Sequence, residues 1–199
     1  DFKPELAMVL SGYGLSLTPR VGARATFYDR GATTIEPIER KYTYAGADLN
    51  ARFSKVYGKD EESGIGRIRH SIEPTVSYSY IPRIDQGDLP RLDAVEEVQE
   101  QNLVTLSLIN RLIARYKDGA NSRTFDLMIF RLSQSYNVGE ARNKDLVNAH
   151  PLSEIKGELA FKTPKLLTAS ANANYNTYTN RLSSSSESIS VKGEVVQAD

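Results

Sequence analysis

Groups that commonly carry acid, base or nucleophilic chemistry are sparse in this sequence. There are two histidines, His70 and His150, and cysteine is absent. His70 is predicted on the apolar side of a strand, and the pattern supports neither a metal site nor a Ser-His-Asp triad. The adjacent carboxylates Glu61–Glu62 and Glu96–Glu97 are predicted to be solvated loop charges rather than an acid/base pair. The sequence therefore predicts no catalytic residue, no metal ligand and no cofactor, and a protein that is not an enzyme.

Arginine offers more chemistry, because guanidinium groups bind phosphate and carboxylate through paired hydrogen bonds. Arg67 and six further arginines fall on the polar side of the predicted pattern, and the six are singled out: Arg20, Arg24, Arg52, Arg69, Arg111 and Arg115. One hypothesis is that these six guide an anionic sugar or phosphate substrate through a wet lumen. The alternative is that they neutralise neighbouring carboxylates and keep the sheet rigid.

Composition narrows the class of protein. A chain of 199 residues suffices for one ordinary domain or for eight to ten long strands. Its 25 basic and 25 acidic residues balance, so nothing favours binding to nucleic acid. No apolar run is long enough for a membrane-spanning helix, and Asp1 opens the chain without a secretory leader, so the signal peptide of an exported protein is expected outside this sequence.

Alternation of side chains is the main structural signal, since successive residues of a strand face opposite sides. From Leu15 to Phe27 the odd positions are mainly apolar and the even positions mainly polar. Asn110 is a polar exception on the apolar side of a later strand, and segment 123–136 carries two competing phases. The nine strands predicted in this way are 2–10, 15–27, 43–53, 68–82, 104–115, 123–136, 154–162, 167–176 and 188–195.

Turn residues separate the strands and set their direction. Gly, Asn, Asp or Pro clusters, such as Ser11–Gly14 and Lys117–Gly119, predict short reversals and hence antiparallel pairing. Two connections are longer and polar, near 83–101 and 139–151. Residues 1–199 are thus predicted to form a single all-β, antiparallel region.

Strand length and polarity favour a transmembrane β-barrel segment. Strands of this length exceed what soluble domains usually contain, and arginines on the polar side suit a wet lumen better than a sandwich core. Tyrosines near many strand ends resemble an aromatic girdle, although tyrosine is also a good strand former. Because lipid cannot satisfy an unpaired sheet edge and nine is an odd number, the chain is expected to be part of a larger barrel.

Two stretches resemble a known family. Residues Tyr78–Gln86, followed by Leu89–Asp93, match its pattern Y-x-Y-x-P-x-x-x-Q with I/L-P-x-F/L-D, and Asn102–Arg115 is similar to its strand N-x-V-T-x-S-L-x-N-R-L-x-A-R. Ile72–Pro74 also matches a strand entry. The chain in this respect resembles the lipopolysaccharide-assembly outer-membrane proteins, also called organic solvent tolerance proteins. The similarity is clear over residues 71–119, and elsewhere it is one of strand rhythm.

The resemblance implies a specific setting in the bacterial outer membrane. It implies a barrel of about 26 strands that inserts lipopolysaccharide into the outer leaflet. Its expected partners are lipopolysaccharide, outer-membrane lipids, a plug lipoprotein inside the barrel, and periplasmic bridge proteins that would dock on parts outside this chain. Two other interpretations stay open from the residues alone: a general porin-like or small closed outer-membrane barrel, and a soluble β-sandwich binding module.

Overall fold

The fold is given by a computed structural model. It describes residues 1–59, 63–89, 97–143, 145–164 and 166–192. Eleven strands and one short helix, α1 (Val138–Arg142), make up its regular structure. The strands are β1 (Glu5–Ala7), β2 (Leu10–Gly12), β3 (Leu15–Tyr28), β4 (Ile38–Ala51), β5 (Phe53–Tyr57), β6 (Gly64–Ile81), β7 (Gln101–Asp118), β8 (Asn121–Asn137), β9 (Ile155–Lys162), β10 (Leu167–Asn176) and β11 (Arg181–Val191).

All eleven strands belong to one antiparallel sheet, in the order β1-β3-β4-β6-β7-β8-β9-β10-β11. Strand β2 pairs with β3 beside β1, and β5 pairs with β6 beside β4. From β6 to β11 each strand pairs with the next one in sequence, and the pairs β1–β3 and β4–β6 skip only the short strands β2 and β5. Within the described residues β1 and β11 end this order without pairing to each other, so the sheet is not closed. The all-β antiparallel prediction is confirmed.

The prediction of nine strands is wrong as a count, since two of the nine are interrupted. The predicted strand 2–10 becomes an isolated bridge from Phe2 to Ala25 followed by β1 and β2. The strand predicted over 43–53 begins earlier, breaks at Arg52 and resumes as β5. The sheet order still has nine positions. The last predicted strand, 188–195, begins earlier in the structure, at Arg181, and its predicted end lies outside the described residues.

The structure divides into two compact units. Unit 1 comprises residues 1–50, 76–105 and 135–151, and unit 2 comprises 51–75, 106–134 and 152–199. In unit 1, β1 pairs with β3 in a register that places Leu6 opposite Val21. In unit 2, β10 pairs with both β9 and β11, and Ala171 lies opposite Leu159 on one side and Glu187 on the other.

Strand β3 shows how the sequence pattern becomes two faces. Its polar positions from Ser16 to Tyr28 are half-buried, whereas Leu15, Val21 and Phe27 on the other face are 50%, 53% and 64% exposed. A water-soluble sheet packs its apolar face against a core and leaves the polar face exposed. In β3 the large apolar side chains are the more exposed ones.

The contacts of strand β8 explain why its sequence carries two competing phases of apolar residues. Near its start the even-numbered side chains Ser122 and Asp126 meet Arg115 and Arg111 of β7. Farther along, the odd-numbered Arg131 meets Glu158 of β9. The polar face therefore passes from even to odd positions within the strand, which is why two phases compete in the sequence.

Both long connections contain specific local structure. Residues 82–89 and 97–100 of the first lie outside strands, and 90–96 are not among the described residues. The second contains α1, whose N-cap Asn137 accepts a hydrogen bond from the backbone N–H of Glu140 at 3.1 Å. Glu140 in turn accepts from the backbone N–H of His150 at 2.8 Å, which ties the two ends of this loop together. No helix in the described part of the chain is long and apolar enough to cross a membrane.

Candidate functional site

Cross-strand ion pairs organise the polar face of the sheet. Four of the six arginines singled out from the sequence lie beside a carboxylate of another segment, and the remaining two line a common cavity. The pairs are Arg20 with Asp48, Arg24 with Asp1, Arg52 with Glu73, and Arg111 with Asp126.

The Arg20–Asp48 pair joins β3 to β4 in unit 1. The Arg20 guanidinium donates to the Asp48 carboxylate, and both side chains are about 30% exposed (31% and 28%). Gly46 makes room for it, because a Cβ at this position would lie 2.9 Å from Arg20 Nε. A glycine is therefore needed where the guanidinium crosses the strand.

Arg24 is held by a two-point contact. Its Nε and Nη2 donate to the Asp1 carboxylate at 3.0 and 2.6 Å, and the Thr26 hydroxyl donates to the same carboxylate at 3.2 Å. This fork is the geometry in which arginine binds carboxylates most strongly. It engages two of the guanidinium nitrogens, Nε and Nη2, in the pair with Asp1.

The other two pairs lie in unit 2 and are looser. Arg52 Nε is 3.2 Å from Glu73, but the Arg52 side chain is 72% exposed. Glu73 also accepts a hydrogen bond from Ser71 at 2.9 Å. Arg111 Nε lies 3.6 Å from Asp126, beyond hydrogen-bond range, and has no hydrogen-bond partner among the described residues.

Arg69 and Arg115 share a cavity on the polar side of unit 2. The cavity has a volume of about 600 Å³, and its lining includes both side chains together with Arg67 and Arg111. Arg115 Nε donates to the Ser122 hydroxyl at 2.8 Å. Arg67 was assigned to the polar face by its sequence position but was not singled out. The signal for it was its spacing of two residues from Arg69, which puts both on one face of a strand.

A second polar cluster in unit 1 was not anticipated. Arg40 is only 4% exposed, its Nη1 donates to Gln86 Oε1 at 3.3 Å, and its guanidinium lies 5.9 Å from the Tyr28 ring centroid. The Gln86 amide pairs with the backbone of Val98 in both directions, donating to its carbonyl at 2.8 Å and accepting from its N–H at 3.0 Å. This arrangement fixes the segment after β6 to β4.

The two polar exceptions on the apolar face meet each other. His70 Nε2 lies 3.2 Å from Asn110 Oδ1, so each side chain has a polar partner on the face that the sequence predicts to be apolar. His150 lies in the loop after α1. Within the described ranges no three His, Asp or Glu side chains are grouped in a way that would hold a metal ion.

The sequence of the chain matches a known protein family. The family model for LptD, described as LPS transport system D, matches residues 1–198. The chain belongs to the LptD family. The resemblance found in residues 71–119 is thereby confirmed, and the family match extends over both units.

A curated relative in the LptD family agrees. The LPS-assembly protein LptD of Methylococcus capsulatus (strain ATCC 33009 / NCIMB 11132 / Bath) is 26% identical over 136 residues, covering 58% of this chain. The match covers 13% of that relative's length. The chain thus corresponds to a small part of the relative.

The geometry also places the motif residues of the LptD resemblance. Tyr78 lies near the end of β6, three residues before its last residue Ile81, and its hydroxyl donates to Asn102 Oδ1 of β7 at 3.1 Å. Gln86, the last residue of the first motif, is the residue that links Arg40 to Val98. The motif residues therefore make contacts that join the end of β6, the loop after it and the start of β7.

Arg20→Gln is expected to lower the free energy of unfolding by about 1–2 kcal/mol, because Asp48 would remain half-buried without its cation. Arg52→Gln is the matched control, since its exposed pair should contribute less than about 0.5 kcal/mol. The double variant Arg20→Gln/Asp48→Asn should recover part of the loss. Urea unfolding of the parent LptD-family protein measures all three, and equal losses at positions 20 and 52 would contradict the structural role of the Arg20–Asp48 pair.

Proposed function

We propose that this chain is part of the wall of an outer-membrane β-barrel that inserts lipopolysaccharide into the outer leaflet. The exposed apolar face carries the proposal. Among the described hydrophobic residues only Leu89 and Ala114 are buried, at 7% and 0% exposure. Hydrocarbon tails would cover such a face, whereas water would not tolerate so large an apolar surface.

Strand length supports the membrane setting. Strands β3 and β4 each have 14 residues, and β6 and β7 each have 18. A tilted strand needs roughly 9–11 residues to cross the hydrocarbon layer. These four strands are long enough to cross the bilayer and to extend beyond it.

The open ends of the sheet support a larger barrel. An unpaired strand edge in lipid leaves backbone N–H and C=O groups unsatisfied, so a spanning sheet must close. Strand β11 is exposed along its whole length. Strands from the rest of the longer parent protein would pair with β1 and β11 and complete the barrel.

The partners follow from this assignment. Lipopolysaccharide would be the transported substrate, and outer-membrane lipids would cover the apolar face. A plug lipoprotein would occupy the lumen of the complete barrel, and periplasmic bridge proteins would dock on parts of the parent outside this chain. The protein would work through lumen polarity and lateral opening, without making or breaking covalent bonds.

The six polar-face arginines would line the lumen in this arrangement. Arg20, Arg24 and Arg52 would chiefly balance their carboxylates and stiffen the wall, since each has a partner within 3.2 Å or less. Arg69, Arg111 and Arg115 would be the ones that face the substrate. This division combines the two hypotheses that the sequence left open.

Spin labels at the two faces test the membrane setting. Labels at Val21 and Val76 on the apolar face should be reached by dissolved oxygen, which concentrates in lipid. Labels at the matched positions Thr18 and Ser79, on the polar face of the same strands, should be reached by a water-soluble nickel complex. Relaxation measurements on the parent protein in lipid nanodiscs read both, and equal nickel access at all four positions would exclude the barrel assignment.

Charge reversal tests the substrate role. Arg69→Glu should reduce lipopolysaccharide delivery to the cell surface several-fold, because it places an anion in the path of an anionic substrate. Arg24→Glu should also reduce delivery, but by breaking its ion pair with Asp1. The swapped double variant Asp1→Arg/Arg24→Glu restores this pair and should restore delivery.

Lipopolysaccharide at the cell surface is measured by labelling intact cells with a lectin or an antibody. Folding of the barrel is checked by its heat-dependent mobility on gels. Unchanged delivery in a folded barrel carrying both Arg24→Glu and Arg69→Glu would discard the guiding role. Failure of the swapped variant to recover would assign Arg24 to substrate contact instead of wall structure.

A further inference from the structure

The cavity in unit 2 is rich in arginine, although the formal net charge of the whole chain is zero. Arg67, Arg69, Arg111 and Arg115 all line it, and Asp126 is the carboxylate in its lining. The whole sequence has 25 basic and 25 acidic residues. The lining thus brings four guanidinium groups together with one carboxylate.

The carboxylate in the lining satisfies only part of this cluster. Asp126 lies 3.6 Å from Arg111 Nε, too far for a hydrogen bond. Arg111 Nε is buried without a hydrogen-bond partner among the described residues. A donor of this kind is costly to bury, and an anion entering the cavity would relieve that cost.

The other arginines of the lining also contact the protein. Arg67 and Arg115 make other interactions within the chain, and Arg115 Nε donates to Ser122. Each guanidinium carries five N–H groups in a fixed fork, so a guanidinium that already contacts the protein can still donate to a ligand. Arg69 has no ion pair with a carboxylate among the described residues, and its side chain is exposed.

The number and type of hydrogen-bond donors in the cavity indicate which class of anion it would bind. A carboxylate is satisfied by one guanidinium fork, whereas a phosphoryl group presents three oxygens and up to two charges that several forks can share. The Thr124 hydroxyl, also in the lining, is a further donor of the type found in phosphate sites. Four arginines around about 600 Å³ match a phosphate or diphosphate on a larger molecule better than a single carboxylate.

We propose that Arg67, Arg69, Arg111 and Arg115 form a phosphoryl-binding site, which takes the phosphate groups of an anionic glycolipid as it passes the sheet. The glycolipid assignment rests on the proposed function, whereas the phosphoryl chemistry rests on the cavity itself. Asp126 would keep Arg111 in place between ligands and reduce the affinity enough for release. Binding would weaken as salt concentration rises, because the groups at the cavity mouth are exposed.

Arginine footprinting on the full-length parent tests the site residue by residue. Phenylglyoxal modifies accessible guanidinium groups, and mass spectrometry reads each position. Inorganic pyrophosphate should slow modification of Arg67 and Arg69 at least about fivefold, as expected for guanidinium groups engaged by a charged acceptor. Arg131, which pairs with Glu158 on the same face outside this cavity, should be modified equally with and without pyrophosphate.

Substitutions test the energetics. Arg67→Gln/Arg69→Gln should raise the Kd for pyrophosphate at least about tenfold, the scale of losing charge-assisted hydrogen bonds. Arg131→Gln/Lys156→Gln removes the same charge from unit 2 and should change the Kd by less than about twofold. If the first double variant fails to fold, Arg69→Lys keeps the charge but loses the fork and should still weaken binding.

The source of the phosphoryl group is distinguished with lipopolysaccharide before and after enzymatic dephosphorylation. Protection of Arg67 and Arg69 by the intact form alone supports a glycolipid ligand. Protection by pyrophosphate without protection by either lipid supports the phosphoryl site and assigns it to a free phosphate compound. Equal modification with and without pyrophosphate overturns the site.

These outcomes separate the site from the proposed function. A parent protein that delivers lipopolysaccharide normally while pyrophosphate protects nothing would overturn the phosphoryl site alone. A parent that shows pyrophosphate protection but no role in lipopolysaccharide delivery would overturn the proposed function and leave the site standing.

Discussion

The structure depends on one physical constraint: strand pairing satisfies the backbone, but among the described residues few apolar side chains are buried. Hydrophobic burial normally provides most of the stability of a domain. In this sheet the polar positions of β3 are half-buried, whereas its large apolar side chains Leu15, Val21 and Phe27 are exposed. The proposed membrane setting would supply the apolar contacts from outside the sheet, and the long two-faced strands, the polar-face ion pairs and the open edges all fit that proposal.

Polar contacts link neighbouring strands on the polar face of the sheet. The pairs of Arg20 with Asp48 and of Arg24 with Asp1 hold neighbouring segments in register, and Asn–Ser hydrogen bonds do so between β10 and β11. Each exposed pair contributes little alone, but a network across a sheet fixes its geometry. The cavity lined by four arginines and one carboxylate is the better candidate for binding an anion.

Much of the fold could be predicted from alternation, and its failures have physical causes. The bounds of β3, β9 and β10 agree closely with the pattern, because one face is consistently apolar. The break at Arg52 was not visible, since Phe53 keeps the same phase as Leu49 and an interrupted ladder leaves the alternation intact. Helix α1 was missed although Asn137 and Glu140 stand at capping-box spacing, a signal that a loop-length argument overlooks.

The candidate site could be predicted only in part. Sequence position assigned the six arginines to a polar face, but pairing depends on register between strands, which alternation does not determine. Hence the carboxylate partners of Arg20 and Arg24 were unknown, Arg67 was passed over, and buried Arg40 lay outside the predicted strand. Gln86 was recognised as a motif residue, and its contacts with Arg40 and Val98 supply the physical reason for it.

Electron cryomicroscopy of the full-length parent in a lipid nanodisc tests the central claim most directly. The account predicts that the side bearing Leu15, Val21 and Phe27 faces lipid density, and that β1 and β11 each hydrogen-bond to strands from other parts of the parent. A second layer of protein packed on that side, shielding these three residues from lipid, would contradict it.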